Sequence, residues 1–190
     1  MIWHPFRNRR QAPTIRALYG AIVAQARNVV FYKDYAVPDT VNGRFDMIVL
    51  HLSLFLDRSE AGDQALRAAG QEVFDLFCAE LDGHVREQGT GDLQVPKEMR
   101  RFAGAFYGRR AAYREALAGY GNHALESALL RNIYGRSGAP DANAARLAGY
   151  VRAAAERLAG QDDFAGGRVA WPDPAATAVA ALSAPAASQP

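Results

Sequence analysis

Residues 41–57 read VNGRFDMIVLHLSLFLD, and a helix made from them would carry apolar side chains on nearly every side. The apolar residues on its two main faces are Phe45, Ile48, Val49, Leu52 and Leu56, and then Met47, Leu50 and Leu54. A helix of this kind is usually covered by its neighbours on several sides. We therefore predict that it lies at the centre of the core.

Five other segments repeat apolar residues at the three- and four-residue spacing of amphipathic helices. They are residues 13–27, 62–87, 92–118, 122–134 and 141–158. The sequence nowhere alternates apolar and polar residues as a strand does, and alanine, the strongest helix former, makes up about a fifth of it. These patterns predict an all-α fold, a single compact bundle of about six helices.

The chain of 190 residues divides into three predicted regions. Residues 1–12 form a flexible N-terminus with basic and aromatic side chains, and residues 13–160 form the helical domain. Residues 161–190 form an extended and disordered tail, because residues 174–190 are mostly Ala, Pro and Ser and bury too little apolar surface. At the N-terminus, Trp3, Phe6 and the nearby arginines are either an interfacial membrane contact or a frayed end.

The overall composition excludes several classes of protein. A formal net charge of +2 is too small to indicate nucleic-acid or membrane binding by itself. The single cysteine, Cys78, cannot form an internal disulfide or a cysteine-based zinc site, and four scattered histidines disfavour a histidine-rich metal site. The longest apolar run, residues 47–56, is too short to cross a bilayer, and no leader pattern is visible, so we predict a cytoplasmic protein.

The motifs of the common catalytic classes do not occur in the sequence. Residues 89–91 read GTG without the third glycine of a dinucleotide site, and the P-loop, GxSxG and HExxH patterns are missing. His51, on the apolar segment, is interpreted as a buried, hydrogen-bonded side chain rather than a haem ligand. Cys78 is interpreted as a small buried hydrophobe. Asp39 is interpreted as a helix cap, with Thr40 as the other candidate for that role.

An aromatic cluster, Phe31, Tyr32 and Tyr35, precedes Pro38. Two interpretations are open: the rings close one end of the helical core, or they line a peptide-binding pocket. The first is the more common role of such residues.

Residues 93–118 are strongly basic. Their charged residues are Lys97, Arg100, Arg101, Arg109, Arg110 and Arg114 against Glu98 and Glu115, a net charge of +4. This face either pairs with the acidic segment 62–87 or binds an acidic or phosphate-rich partner. Gly104 and Gly108 also lie in this helix, where each glycine costs up to about 1 kcal/mol relative to alanine. That cost indicates that another backbone comes close, either an internal helix, which is slightly favoured, or another protein.

A series of short motifs, in order along the chain, resembles the ubiquinol–cytochrome c chaperone family. The motifs are LYG (18–20), QAR (25–27), FYKDYAVPDT (31–40), GRFDM (43–47), LHL (50–52), GDL (91–93), VPK (95–97), AFYGR (105–109) and AY (112–113). The resemblance spans about residues 15–158, with a weaker similarity at residues 169–172. The ordered series is specific, although each motif alone is not, and it looks like that of a bacterial member.

The resemblance implies an all-helical assembly factor without catalytic activity, metal or cofactor, and makes residues 13–160 a chaperone domain. Family members bind newly made cytochrome b and aid assembly of the cytochrome bc1 complex. Mitochondrial relatives work with a small partner subunit near the ribosomal exit tunnel. The implied partners are therefore cytochrome b as client, the ribosome or a small partner protein, and an anionic membrane surface, with no DNA. By this resemblance we carry a partner-binding surface over to Lys97, Arg101, Tyr107, Gly108 and Arg109.

The implied location is the cytoplasm, with peripheral association on the inner membrane. Two rival functions also remain open. One is a ribosome- or RNA-binding module acting through residues 93–118, whose binding would depend steeply on salt. The other is a small helical enzyme that uses His51 or Asp46, which requires a polar pocket around these residues.

Overall fold

The computed structural model describes residues 12–87, 94–164 and 166–183, and within them the fold is all-α, as predicted. Its eight helices are α1 (Ala12–Ala26), α2 (Val29–Lys33), α3 (Val41–Glu60), α4 (Gln64–Glu87), α5 (Val95–Ala118), α6 (His123–Asn132), α7 (Ala142–Ala159) and α8 (Pro174–Ser183). Six of them match the predicted helices, and the short α2 and the late α8 are additional. Among the described helices, none has both the length and the hydropathy needed to cross a membrane.

Helix α3 lies at the centre of the bundle. It contacts α1, α4, α5 and α7, and every residue from 47 to 56 is buried. Full coverage on several sides is what a helix with apolar residues all round requires, because any uncovered side would leave that surface in water. The predicted central helix is confirmed.

The beginning of α3 is held by Thr40 rather than by Asp39. The Thr40 Oγ1 accepts a hydrogen bond of 3.0 Å from the backbone N–H of Gly43, whereas Asp39 pairs with Arg44 at 2.6 Å. The chain also passes very close to α3 here, since a Cβ on Gly43 would lie 2.0 Å from the carbonyl oxygen of Pro38. Only glycine fits at this position without moving the backbone.

The carboxyl end of α5 is capped by a side chain from α7. The Arg152 guanidinium donates to the carbonyl oxygens of Leu117 at 3.3 Å and Ala116 at 3.4 Å, and also contacts Gly121 and Asn122. The last carbonyls of a helix have no partner within the helix, so a cation at this end both satisfies them and complements the helix dipole. Arg152 thus fixes α7 to the end of α5.

The residues after α7 differ from the predicted extended tail. The Phe164 ring packs on Phe55 with centroids 5.9 Å apart, the Trp171 ring packs edge-on against His51 at 5.1 Å, and α8 follows from Pro174. The prediction of disorder was wrong for residues 174–183, because isolated aromatic anchors and an alanine-rich helix order this segment without any periodic apolar stripe. Residues 184–190 lie outside the described residues, as do the predicted membrane contact at Trp3 and Phe6 and the GTG motif at 89–91.

Candidate partner-binding surface

Four of the five predicted surface residues are exposed on α5. The side chain of Arg101 is 82% exposed and Tyr107 is 53% exposed, and Lys97 and Gly108 are exposed as well. At 100° per residue, Lys97, Arg101 and Gly108 share an arc of about 60° with Gly104, and Tyr107 lies on the flank of this arc. We call this exposed face of α5, with Tyr107 at its edge, the basic face.

Arg109, the fifth predicted residue, lies between α5 and α3. Its Nη1 atom is 2.7 Å from Oδ1 of Asp46, and both side chains are largely covered. Burial raises the pKa of the Asp46 carboxyl above its usual value, although Arg109 acts to lower it. Arg109 therefore holds α5 against α3 at the border of the basic face and is less open to a partner than the other four residues.

Two further arginines of α5 also pair with α3. Arg110 lies 2.8 Å from Asp57 and 2.7 Å from Glu60, and Arg114 contacts the same two carboxylates at 2.5 and 2.7 Å. The expectation that the charges of α5 pair with the acidic segment 62–87 is thus wrong for these residues, whose partners lie on α3. The basic face is what remains once these arginines are engaged, and within it Arg101 forms only an exposed pair with Glu98 at 3.6 Å.

The glycines of the basic face are open to solvent. A Cβ built on Gly104 or Gly108 would meet no atom of the described residues within 4 Å, so none of the eight described helices approaches either position. The slightly favoured explanation, an internal helix, is therefore wrong, and contact with another protein remains as the alternative. At these two positions the backbone of α5 is not covered by a side chain, on the same face of the helix as Lys97 and Arg101.

A second surface feature, which the sequence reasoning missed, lies beside the basic face. It is an apolar groove of about 1010 Å³ between α1, α3, α4 and the start of α5. Its floor includes three packed rings, with the Phe45 and Phe102 centroids 5.3 Å apart and the Phe77 and Phe102 centroids 5.6 Å apart. Helical periodicity assigns all three rings to the core and does not reveal that Phe45 and Phe102 are only half-buried.

His51 is enclosed by the core rather than placed in a site. Its Nδ1 lies 2.8 Å from the carbonyl oxygen of Met47 and must donate to it, so Nε2 accepts from the Tyr150 hydroxyl at 2.9 Å. The Tyr150 oxygen in turn accepts from Gln25 at 2.9 Å. Burial lowers the pKa of His51 to about 4. The interpretation as a buried, hydrogen-bonded histidine is confirmed, and the ring is closed to any substrate.

The aromatic cluster closes one end of the core. Phe31 and Tyr35 are completely buried, and the Tyr35 hydroxyl donates to the carbonyl oxygen of Pro174 at 2.8 Å. The peptide-pocket interpretation is therefore wrong for Phe31 and Tyr35, and the half-buried Tyr32 donates its hydroxyl to the carbonyl oxygen of Ala26 at 2.9 Å. Cys78 is half-buried, and burial raises the pKa of its thiol, which disfavours the reactive thiolate. Within the described residues, no three His, Cys, Asp or Glu side chains are grouped so that they could hold a metal ion.

Comparison with known proteins adds two findings. The model of the family described as ubiquinol-cytochrome C chaperone matches residues 33–171, which include the whole basic face. A solved structure, the crystal structure of the Cbp3 homolog from Brucella abortus, is 38% identical in sequence. The alignment covers 87% of this chain and 92% of that chain, with a TM-score of 0.78. A search of curated proteins finds no significant match.

Proposed function

Because the chain belongs to the ubiquinol-cytochrome C chaperone family, we propose that it is a non-catalytic chaperone that binds newly made cytochrome b and aids assembly of the cytochrome bc1 complex. The observation that carries this proposal is the match over residues 33–171, together with a similar fold at 38% identity. The enclosure of His51 argues against one of the two side chains that the rival enzyme would use, and the other, Asp46, is held in an ion pair with Arg109 at 2.7 Å.

The basic face is the partner-binding surface in this proposal. Lys97, Arg101, Tyr107 and Gly108 would contact the partner, and Arg109 would support the border of the face from its position on Asp46. A client such as cytochrome b is inserted at a membrane, and anionic lipids attract exposed lysine and arginine. We propose a cytoplasmic chaperone, which the basic face would hold at the periphery of the inner membrane, close to its client.

We expect deletion of the gene to lower the amount of assembled bc1 complex, because unassembled cytochrome b is left without its chaperone. The measurement is the b-type haem absorbance of isolated membranes, together with ubiquinol–cytochrome c reductase activity. A plasmid copy of the gene should restore both. Wild-type levels of bc1 complex in the deletion strain would contradict the proposed function.

Charge reversal on the basic face should separate function from stability. The double change Lys97→Glu and Arg101→Glu affects exposed side chains, so the free energy of unfolding should change by less than about 1 kcal/mol. We expect the same variant to lower cytochrome b co-purification and bc1 level several-fold. Arg67→Glu, an equally exposed reversal in the first turn of α4, is the matched control and should change neither quantity.

Gly108→Leu provides an independent test of the same face. Leucine is a better helix former than glycine and meets no neighbouring atom here, so the isolated protein should become slightly more stable. Its bulk should nevertheless weaken cytochrome b binding. If the basic-face variants keep cytochrome b but lose salt-dependent cosedimentation with ribosomes, the rival ribosome-binding function replaces the present one.

A further inference from the structure

The apolar groove is large enough for more than a small ligand. Its volume of about 1010 Å³ lies at the upper end of the range for small-molecule pockets, and it follows α1 from Arg16 to Arg27, the residue after the end of the helix. Eleven residues of helix rise about 16 Å, which is three turns. The dimensions therefore match one face of a short helix lying along α1.

The floor of the groove is apolar and partly exposed. Tyr19, Ile48 and Phe77 form its buried base, and the residues above them are half-buried side chains. These half-buried residues are Val23, Phe45, Leu76, Leu81, Val85, Met99 and Phe102. Such a continuous apolar surface is costly in water and marks a site for another apolar surface.

The two rims of the groove carry opposite charges. Arg16 lies on α1 and Arg27 directly follows its last residue, and neither forms an ion pair with another described residue. On the opposite rim are Glu80 of α4 and Glu98 of α5, and Glu98 is also paired with Arg101 at 3.6 Å. Burial and the nearby Glu80 carboxylate both raise the pKa of the Tyr19 hydroxyl, so Glu80 lies close to the base of the groove. The charge therefore changes sign across the groove, from one long side to the other.

We propose that this groove binds one amphipathic helix of a partner protein, its apolar face on Phe45, Phe77 and Phe102 and its acidic flank along Arg16 and Arg27. Acidic residues eleven positions apart return to nearly the same side of a helix after three turns, which matches the spacing of the two arginines. A helix can carry acidic residues on the flank that faces the arginines and none on the flank that faces the glutamates. The headgroup of an anionic lipid would instead also face Glu80 and Glu98 across the groove, so the opposed rims favour the helix.

That the partner is the client, cytochrome b, rests on the proposed function. The groove itself and the chemistry of its occupant do not depend on that function. The basic face adjoins the groove at Glu98 and Phe102, which line both the groove and the smaller pocket containing Arg101 and Arg109. A client helix in the groove would therefore leave the basic face beside it for a second contact with the same client.

The test places a photo-reactive benzoylphenylalanine at Val23 or Met99, on two walls of the groove, in the full chain in living cells. The control position is Tyr120, which is fully exposed in the loop after α5. We expect both groove positions, and not Tyr120, to crosslink to the same helix of one partner, with acidic residues on one flank. The change Arg16→Glu with Arg27→Glu should reduce the crosslink at least five-fold, and Arg67→Glu should not.

A reversal of the partner's acidic residues to arginine should restore the crosslink to the doubly reversed chain. Crosslinks to lipid, to a second copy of this chain or to a segment without an acidic flank would overturn the proposal, as would insensitivity to charge reversal or no crosslink at all. If gene deletion lowers bc1 complex but the groove positions capture nothing, the proposed function stands and the groove assignment fails. If the crosslinks map as expected while deletion leaves bc1 unchanged, the groove assignment stands and the client must be another protein.

Discussion

Replacement of Gly43 by alanine is expected to destabilise the protein by at least about 3 kcal/mol, far more than an ordinary glycine-to-alanine change in a helix. The new Cβ would lie 2.0 Å from the carbonyl oxygen of Pro38, and relief of that overlap requires movement of backbone. The movement would also break the hydrogen bond from the Gly43 N–H to Thr40, which begins the central helix. Chemical denaturation followed by circular dichroism measures the loss.

The matched control for this change is Gly104→Ala, on α5. A Cβ on Gly104 meets nothing within 4 Å, so the same chemical change should increase stability by up to about 1 kcal/mol through the better helix propensity of alanine. Opposite signs at the two positions would confirm that Gly43 is required by a close backbone approach. A Gly43→Ala protein as stable as the wild type would show that Pro38 does not pack against α3 as described.

The second large effect is a loss of folding stability at acidic pH, caused by His51. Below pH 6.5, the ordinary pKa of histidine, His51 binds a proton in the unfolded chain, but in the folded protein it stays neutral down to its pKa of about 4. The unfolded state therefore binds more protons in this interval, and stability falls as the pH falls from 6.5 to 4. We expect the contribution of His51 to be a loss of about 3 kcal/mol over this range, with no further loss below it.

The variant His51→Gln isolates this contribution. It should be less stable than the wild type at pH 7, because it disturbs the hydrogen bonds to Met47 and Tyr150, but its stability should depend less on pH between 6.5 and 4. Carboxyl groups such as Asp141, whose pKa is lowered mainly by the backbone N–H of Ala144, titrate in both proteins and cancel in the difference. Parallel pH profiles for the two proteins would disprove the burial of a neutral His51.

The local pattern of apolar residues was sufficient to predict the helices that form the core. The position of α3 at the centre followed from apolar residues on all of its sides, and the capping chemistry of residues 39 and 40 located its beginning to within one residue. The choice between Asp39 and Thr40 could not be made from sequence, because the preference depends on Arg44 drawing Asp39 away at 2.6 Å. Such a local competition is decided by side-chain geometry.

The features that sequence reasoning missed depend on contacts between residues far apart in the chain. The segment after α7 is ordered by hydrogen bonds from Tyr35 to Pro174 and from Gln25 to Pro172, which no local periodicity encodes. The pairing of Arg109 with Asp46 is likewise visible only when α5 lies against α3. The apolar groove depends on the distance between α1 and α4 near Phe77. The apolar periodicity of a single helix carries no information about that distance.

The order of biosynthesis gives the late segment around Trp171 a particular importance. A ribosome releases the chain from its amino end, so α1 and α3 emerge well before the residues that cover His51 and accept hydrogen bonds from Gln25 and Tyr35. Until Pro174 has left the exit tunnel, Trp171 cannot cover the His51 ring and the aromatic end of the bundle remains exposed to water. This protein must therefore be translated beyond Pro174 before its own interior is sealed.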